Sequence, residues 1–345
     1  MTEKPTDRSP IARHDPRETQ LPFEGDGVLH RALTAAARAL HRRGALWRAN
    51  FTVTGRLAGR PLRVPFQFGA GWEHLRMAEM WLYHGLERVM RGRPGAFVDA
   101  GVNVGHTLVK VKAIDPDREY IGFEPNPHCL RYTQQLIAAN RFTRCIVVPV
   151  GISNRTGIMR LFMNHDADPS ATIVDGFREP DRYARSVPVP VFVGDEVLDT
   201  LGIGQVSVVK IDVEGGELDV MEGLRRTLRR SSPYVFCEVL PVFDERSEMG
   251  RFRLQRQTGL QRLLGDLGYD IFRMYFDNTV EAVDAFGIHA DMTRSNYVFV
   301  PRNETPVFRR LFESRVGSRE CGSRESVVES SVARVGSRGS GSEGR

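Results

Sequence analysis

Residues 97–105 read FVDAGVNVG, a short apolar run that ends in an aspartate and then in two glycines held apart by Val-Asn-Val. The run is of the kind buried on both faces of a parallel sheet. The next stretch, HTLVKVKAI, has helical spacing, so the chain must turn sharply from strand to helix. Gly101 and Gly105 carry no Cβ, which lets the backbone turn and lets a ligand approach it closely. The helix that follows offers unpaired N–H groups to a polar or anionic ligand. Asn103 can bridge the turn or donate to that ligand. Asp99, one residue inside the strand end, is wasteful there unless it accepts hydrogen bonds from loop amides or a cationic amine. Glycine turns after strands are common, and a purely structural turn is the competing reading.

The sequence around this stretch repeats the pattern. AFVDA, EYIGFE, CIVVPVGI, VSVVKID and PYVFCEV are five short β-rich runs, and HTLVKVKAI, NPHCLRYTQQLIAANR and GELDVMEGLRRTLRR between them have helical spacing. This alternation predicts a doubly wound α/β sheet with helices on both faces. YDIFRMYF and NYVFVP add two strands, for a seven-stranded, mostly parallel sheet. FQFGAG and residues 155–195 break the alternation and read as insertions. Pro180, Pro188 and Pro190 mark the second as loop and edge-strand material. Ahead of the sheet, residues 28–95 predict an extension: a helix from Val28 to about Asn50, two short strands in FTVTGRLAGRPLRVPF, and a helix in WEHLRMAEMWLYHGLERVMRG closed by Gly92. Residues 1–27 read as a disordered lead. Residues 314–345, rich in Ser, Gly, Arg and Glu, read as a disordered tail.

The second informative run is IGFEPNP. Glu124 stands 19 positions after Gly105, at the tip of the next strand. An acidic residue about 20 positions on is where nucleoside-binding α/β folds hold a ribose diol. Adjacent parallel strands deliver both tips to one crevice. A dinucleotide normally wants G-x-G-x-x-G so that the backbone can cradle a pyrophosphate, and here the middle glycine is replaced by asparagine. A nucleoside without pyrophosphate, such as S-adenosylmethionine, fits better than a nicotinamide cofactor.

FVDAGVNVG, GFEPNP, VPVGISNRTG and VVKIDVEGGELDVMEGLRRTL followed by YVFCEV together resemble the FkbM-type family of S-adenosylmethionine-dependent methyltransferases, from about residue 96 to residue 240. KIDVEG with its downstream helix is the most specific piece. The family's common Gly-Ala-Asn stands here as Gly101-Val102-Asn103, and an acidic residue often found after VPVGIS is replaced by Ser153-Asn154. The resemblance implies a class I methyltransferase (Rossmann-like) fold over residues 96–313 and O-methyl transfer, often to sugars or natural products. By position it also implies that Asp99, Gly101, Asn103 and Gly105 line the methionine end of the cofactor, that Glu124 holds the ribose hydroxyls, and that Asn126, Gly151 and Ile152 border the adenine.

Methyl transfer from a sulfonium is an in-line displacement, so the enzyme mainly positions the acceptor and shields the site. A hydroxyl is a poor nucleophile and wants a general base. Lys210, Asp212 and Glu214 alternate at the tip of the fourth strand, on one face if the strand continues, and Glu238 ends the next strand. Carboxylates grouped there can raise one another's pKa. They can instead hold a divalent ion, although the ligand set is not distinctive. Lys210 and Asp212 have a structural alternative, a buried pair that caps the helix. His106 reads as a helix cap, His165 and Asp166 as residues of an insertion, and Trp72, Trp81 and Tyr83 as core.

Composition bounds the rest. The chain has 345 residues, 41% hydrophobic and 26% charged, with a net charge of +5, which is ordinary for a globular protein. Its four cysteines are far apart, which argues against a disulfide framework or a zinc site. The N-terminal stretch has no apolar secretion core, no apolar run reaches the ~18 residues of a membrane span, and a cytoplasmic home is expected. The Val28–Asn50 helix sets Leu29, Leu33, Ala36, Ala37 and Leu40 against Arg31, Arg38 and Arg42. Such a helix can lie on a membrane. Its sparse leucine predicts that it docks on its own domain instead. The main reading is an O-methyltransferase acting on a small-molecule hydroxyl of a saccharide or secondary metabolite. An RNA methyltransferase lacks an RNA-binding module, so a nucleic-acid partner is not expected, and a non-catalytic scaffold would predict damage at Asp99 or Glu124.

Overall fold

A computed structural model describes residues 23–25, 27–76, 79–178 and 183–313. The tail, Pro180 and most of the lead lie outside the described residues. The chain opens with α1 (Val28–Arg42), a short 3-10 turn (Leu46–Arg48), and the antiparallel hairpin β1 (Phe51–Leu57) and β2 (Arg60–Phe66). Alternation places Val53, Leu57, Leu62 and Val64 inward, and α1 adds Ala37, Leu33 and Leu40 to the same cluster. The helix thus docks on its own hairpin as expected, although Leu29 stays exposed. The predicted single helix over residues 72–92 is instead two, α2 (Trp72–Arg76) and α3 (Met80–Met90). The break is at Glu79, whose backbone is left-handed at φ 62° and cannot continue a right-handed helix.

From there strand and helix alternate: β3 (Ala96–Ala100), α4 (His106–Ile114), β4 (Tyr120–Phe123), α5 (Pro127–Asn140), β5 (Cys145–Val148). CIVVPVGI then splits. Pro149 follows β5, and the chain leaves for a second sheet made of β6 (Gly151–Ser153), β7 (Gly157–Met163) and β8 (Arg185–Val193), ordered β6-β8-β7. The insertion is therefore a sheet rather than loop material, and β8 is its central strand. Pro188 and Pro190 are tolerated because β6 begins to pair only at Val191. The chain continues through α6 (Gly194–Thr200), β9 (Val206–Ile211), α7 (Glu217–Gly223), α8 (Arg225–Ser231), β10 (Tyr234–Glu238) and α9 (Glu248–Leu267). It ends with β11 (Tyr269–Met274), β12 (Val280–Val283), β13 (Asn296–Pro301) and α10 (Thr305–Glu313). The predicted helix over GELDVMEGLRRTLRR is α7 and α8, separated at Leu224. The Asp195 carboxylate accepts the N–H groups of Arg226 and Thr227 at 2.7 and 2.9 Å and so caps a new helix start.

The main sheet has eight strands, in the order β12-β11-β13-β10-β9-β3-β4-β5. The five from β5 to β10 are parallel, and β13, β11 and β12 add antiparallel pairs. The class I α/β architecture stands. The extra strand is β12, whose VEAV carries no apolar run. Period two sends Val98, Ile121, Val209 and Val235 to one face, under α7, α8 and α9. It sends Phe97, Tyr120, Val208 and Phe236 to the other, under α3, α4 and α10. Chain order reverses between β3 and β9, the switch point at which open α/β sheets bind ligands beyond the strand ends. Among the described residues no helix is long and apolar enough to cross a membrane.

The opposite end of the sheet is held by Arg118, which is 8% exposed. Its guanidinium donates to the carbonyls of Met90, Arg93 and Gly95, to Ser207 Oγ and to the Asp115 carboxylate, all at 2.7–3.2 Å. Arg118→Met strands those acceptors, so it is expected to lower the unfolding free energy by about 3 kcal/mol, measured by urea denaturation. A loss under about 1 kcal/mol would show that water replaces the guanidinium.

Candidate active site

β3 and β9 lie side by side with Asp99 opposite Lys210, and the loops that leave them touch. Gly101 is left-handed at φ 89°, and a Cβ there would collide with the Asp212 carbonyl oxygen. The Asp212 N–H in turn donates to the Ala100 carbonyl at 3.0 Å. The glycine anticipated for ligand approach is therefore also required by the backbone of β9. Beyond the two loops lies a cavity of about 600 Å³, within the ordinary range for a small-molecule site. Its walls come from the switch-point loops, from the tips of β4, β6 and β10, from the insertion (Leu161, His165, Ala171) and from the N-terminal extension (His41, Leu46, Trp72).

Of the eight residues expected to hold a cofactor, Gly101, Asn103, Glu124, Asn126, Gly151 and Ile152 line this cavity. Asp99 and Gly105 stand behind its wall. Asp99 is fully buried and accepts the Tyr120 hydroxyl, while its Oδ1 has no hydrogen-bond partner. Burial pushes its pKa up to about 6 against the pull of Lys210 and Tyr120. Gly105, at φ 87°, makes the turn into α4. Glu124 has both carboxylate oxygens engaged by the loops beside it: the Asn103 N–H donates at 2.6 Å and the Asn126 N–H at 2.8 Å. Each oxygen keeps a second lone pair. Burial raises this carboxyl to about 7 despite the two amides. Asn126 caps α5 by accepting the His128 N–H at 3.0 Å, and its amide donates to the Asp166 carbonyl at 2.7 Å, tying the insertion to the sheet. Asn154 reaches away to Asp219 and Glu222.

All four residues expected to carry chemistry line the same cavity. Lys210 donates to Asp212 at 2.7 Å, the pair anticipated for them. Burial opposes the lysine's charge, but Asp212, Asp99 and Glu79 together hold its pKa above the ordinary value. Glu214 does not continue the strand. It is left-handed at φ 52° and its carboxylate is clasped by Arg178 of the insertion. Burial raises Glu214 to about 7, with Arg178 pulling the other way. Glu238 accepts the Ser295 hydroxyl at 3.2 Å. Its own burial and the negative charges of Asp212, Glu214 and Glu79 push its carboxyl well above the usual range. Among the described residues no group of three or more His, Cys, Asp or Glu is arranged to hold a metal ion.

Glu79, which also lines the cavity, went unread in the sequence. It stands at the α2–α3 break, 3.3 Å from the buried Lys110 ammonium. Its left-handed backbone joins those of Asn103 and Glu214 around one cavity, a clustering of sparsely populated conformations that marks functional sites. Lys110 itself, charged inside the apolar face of HTLVKVKAI, was the available signal. His106 is no helix cap. Its ring packs edge-on to His74 at 4.5 Å, its Nε2 is sealed without a partner, and burial with Lys110 and Lys210 depresses it to about 3, so it is neutral. His165 lines the cavity, whereas Asp166 pairs with Arg185 outside it. Trp81 and Tyr83 are core, but Trp72 lines the cavity and stacks on His41 at 4.8 Å.

Comparison with known proteins places this cavity in a family. Among curated proteins none matches the chain. Among solved structures, methyltransferase FkbM from Methylobacillus flagellatus KT is 16% identical over 59% of this chain and 43% of its own, with a TM-score of 0.37. The chain thus spans less than half the length of that protein. Fibrillarin from Aeropyrum pernix, in complex with natively bound S-adenosyl-L-methionine, is 14% identical over 74% of this chain and 85% of its own, with a TM-score of 0.36. Precorrin-6y C5,15-methyltransferase from Geobacter metallireducens GS-15 is 12% identical over 63% and 85%, with a TM-score of 0.33. The model of the methyltransferase FkbM domain matches residues 99–271, half of the chain, from Asp99 at the end of β3 to Ile271 in β11. With both switch-point loops and the carboxylates of β4, β9 and β10 inside that match, the chain belongs to the FkbM methyltransferase domain family.

Proposed function

We propose that the cavity binds S-adenosylmethionine and that the protein transfers its methyl group to a hydroxyl of a small molecule, a saccharide or secondary metabolite. The observation that carries the reading is the shared cavity of two carboxylate sets. Glu124 lies beside the Gly101–Asn103 turn, and Asp212, Glu214 and Glu238 lie beyond the next strands. The residues fit the cofactor. Bare backbone at Gly101 admits close approach, Glu124 retains lone pairs for a diol, and a wall richer in carboxylates than in cations suits a sulfonium. Gly101 and Asn103 would border its methionine end, and Asn126, Gly151 and Ile152 its adenine. Asp99 and Gly105 would act from behind the wall, by orienting the β3 tip and shaping the turn. When bound, the cofactor supplies an electrophilic methyl group.

The chain's own task is then to orient an acceptor oxygen and take its proton. Glu214, raised to about 7, matches a base that works near neutrality. Asp212, held by Lys210, can accept a hydrogen bond from the acceptor and fix its direction. Glu238, whose carboxyl burial pushes well above the usual range, accepts the Ser295 hydroxyl and can help to position the acceptor. A scaffold without chemistry has no need of three carboxylates gathered in one cavity, two of which, Glu214 and Glu238, are pushed up in pKa by burial. A cytoplasmic setting belongs to the same proposal.

Calorimetric titration with S-adenosylmethionine, S-adenosylhomocysteine and NAD⁺ tests the cofactor. Binding of the first two alone is expected, and binding of NAD⁺ alone would overturn the reading. Glu124→Ala should weaken cofactor binding at least about tenfold through lost charge-assisted hydrogen bonds, whereas Asp212→Asn should leave the dissociation constant nearly unchanged and slow turnover. Because a base must be deprotonated to act, kcat should be lost as pH falls through about 7. Glu214→Gln should flatten that profile and lower kcat about 100-fold. An unchanged profile in the variant would remove Glu214 from the role.

A further inference from the structure

The stretch from Gly27 to Trp72 contains eight arginines, among them Arg31, Arg38, Arg42, Arg43 and Arg48, and no acidic residue. The whole chain is +5, so the +8 of this stretch leaves −3 for everything else. All eight arginines are exposed, and none forms an ion pair with a described residue. On α1 the distribution is one-sided. Ala37, Leu33 and Leu40 face the hairpin. Val28, Arg31, Arg38 and Arg42 fall within an arc of about 80° on the opposite side at 3.6 residues per turn. Val28 is 76% exposed, and Trp47, in the turn after the helix, is 65% exposed with the Arg48 guanidinium 4.8 Å over its ring. A tryptophan and an aliphatic side chain held in water among arginines without an ion pair to a described residue are out of place on a surface that only needs solvation.

The position of this edge gives it a use. His41, exposed, and Leu46 line the cavity, and Arg42, Arg43, Trp47 and Arg48 are their chain neighbours. Through these neighbours the basic edge adjoins a rim of the cavity, whereas the interior is rich in carboxylates. We propose that this edge docks on an anionic lipid bilayer: the arginines meet the headgroups, Trp47 seats at the interface, and the cavity mouth opens at the lipid surface. Arginine attracts anionic lipid electrostatically, and an amphipathic ring with an adjacent aliphatic residue favours the headgroup level. A nucleic acid would use the arginines but leaves Val28 without a partner, and a single exposed ring is a poor stacking platform.

Co-sedimentation of the full chain with vesicles of phosphatidylcholine alone, and with an equal part of phosphatidylglycerol, tests this without reference to methyl transfer. Binding is expected to the anionic vesicles only, with a blue shift of tryptophan emission that Trp47→Phe removes. Reversing two charges in Arg42→Glu/Arg43→Glu should lower the partition coefficient at least about tenfold, with an unchanged circular dichroism spectrum and melting temperature. Trp47→Ser, a single exposed change, provides a second variant that retains the fold. Failure of the full chain to bind anionic vesicles would overturn the proposal. So would equal binding to both vesicle types, or binding to a single-stranded oligonucleotide in preference to anionic lipid.

Discussion

The backbone of Gly101 lies against the Asp212 carbonyl, and the Asp212 amide returns a hydrogen bond to the Ala100 carbonyl. These contacts join the two loops at the point where strand order reverses. The rest of the site depends on this closeness. Any side chain at position 101 would push the tip of β9 away from β3, separating Asp212 and its neighbours from the Asn103–Glu124 pair. The turn therefore has two functions that a single residue type satisfies: it leaves bare backbone toward the cavity and leaves room for the neighbouring strand's carbonyl.

Around that contact the protein buries more charge than a stable core requires. Asp99, Glu79, Asp212, Glu214, Glu238 and Glu124 share a small volume with Lys110, Lys210 and Arg178. Removing such groups from water is unfavourable, and mutual attraction offsets this only with good geometry. Lys210 lies among three of the carboxylates and stays charged, whereas burial drives Glu238, and Glu214 despite its Arg178 partner, toward their neutral forms. One cluster thus contains carboxyls whose ionisation is shifted upward and another, Asp212, held by a lysine. Chemistry on a hydroxyl can use both. The basic edge beside the cavity reverses the sign of the charge, so the interior and the surface address different chemical partners.

Legibility was uneven, for physical reasons. The five parallel strands and α4 and α5 were readable because each is one uninterrupted apolar period in a short window. What failed were places where a distant group overrides local preference. The Asp195 side chain starts a helix inside LRRTL, and a left-handed Glu79 breaks a continuous helical pattern. The insertion looked irregular because prolines discourage strands, yet β8 is acceptable where its proline side has no partner to bond. Glu124 and the Lys210–Asp212 pair were found from spacing alone. Glu79 and Arg178 were not, since they come from segments far away in sequence whose own patterns say nothing of a cavity.

The sequence by itself determined the alternation of the five parallel strands with helices, the glycine turn after the first parallel strand and the acidic tip of the second. These are local properties: periodicity, the missing Cβ and the spacing between neighbouring strand ends are all written within some thirty residues. Only the tertiary structure decided which of the polar residues face the cavity, that Asp99 stands behind its wall, and which carboxyls are driven up in pKa. Burial and opposing charge come from residues brought together across the whole fold, and neither quantity exists until the chain has packed.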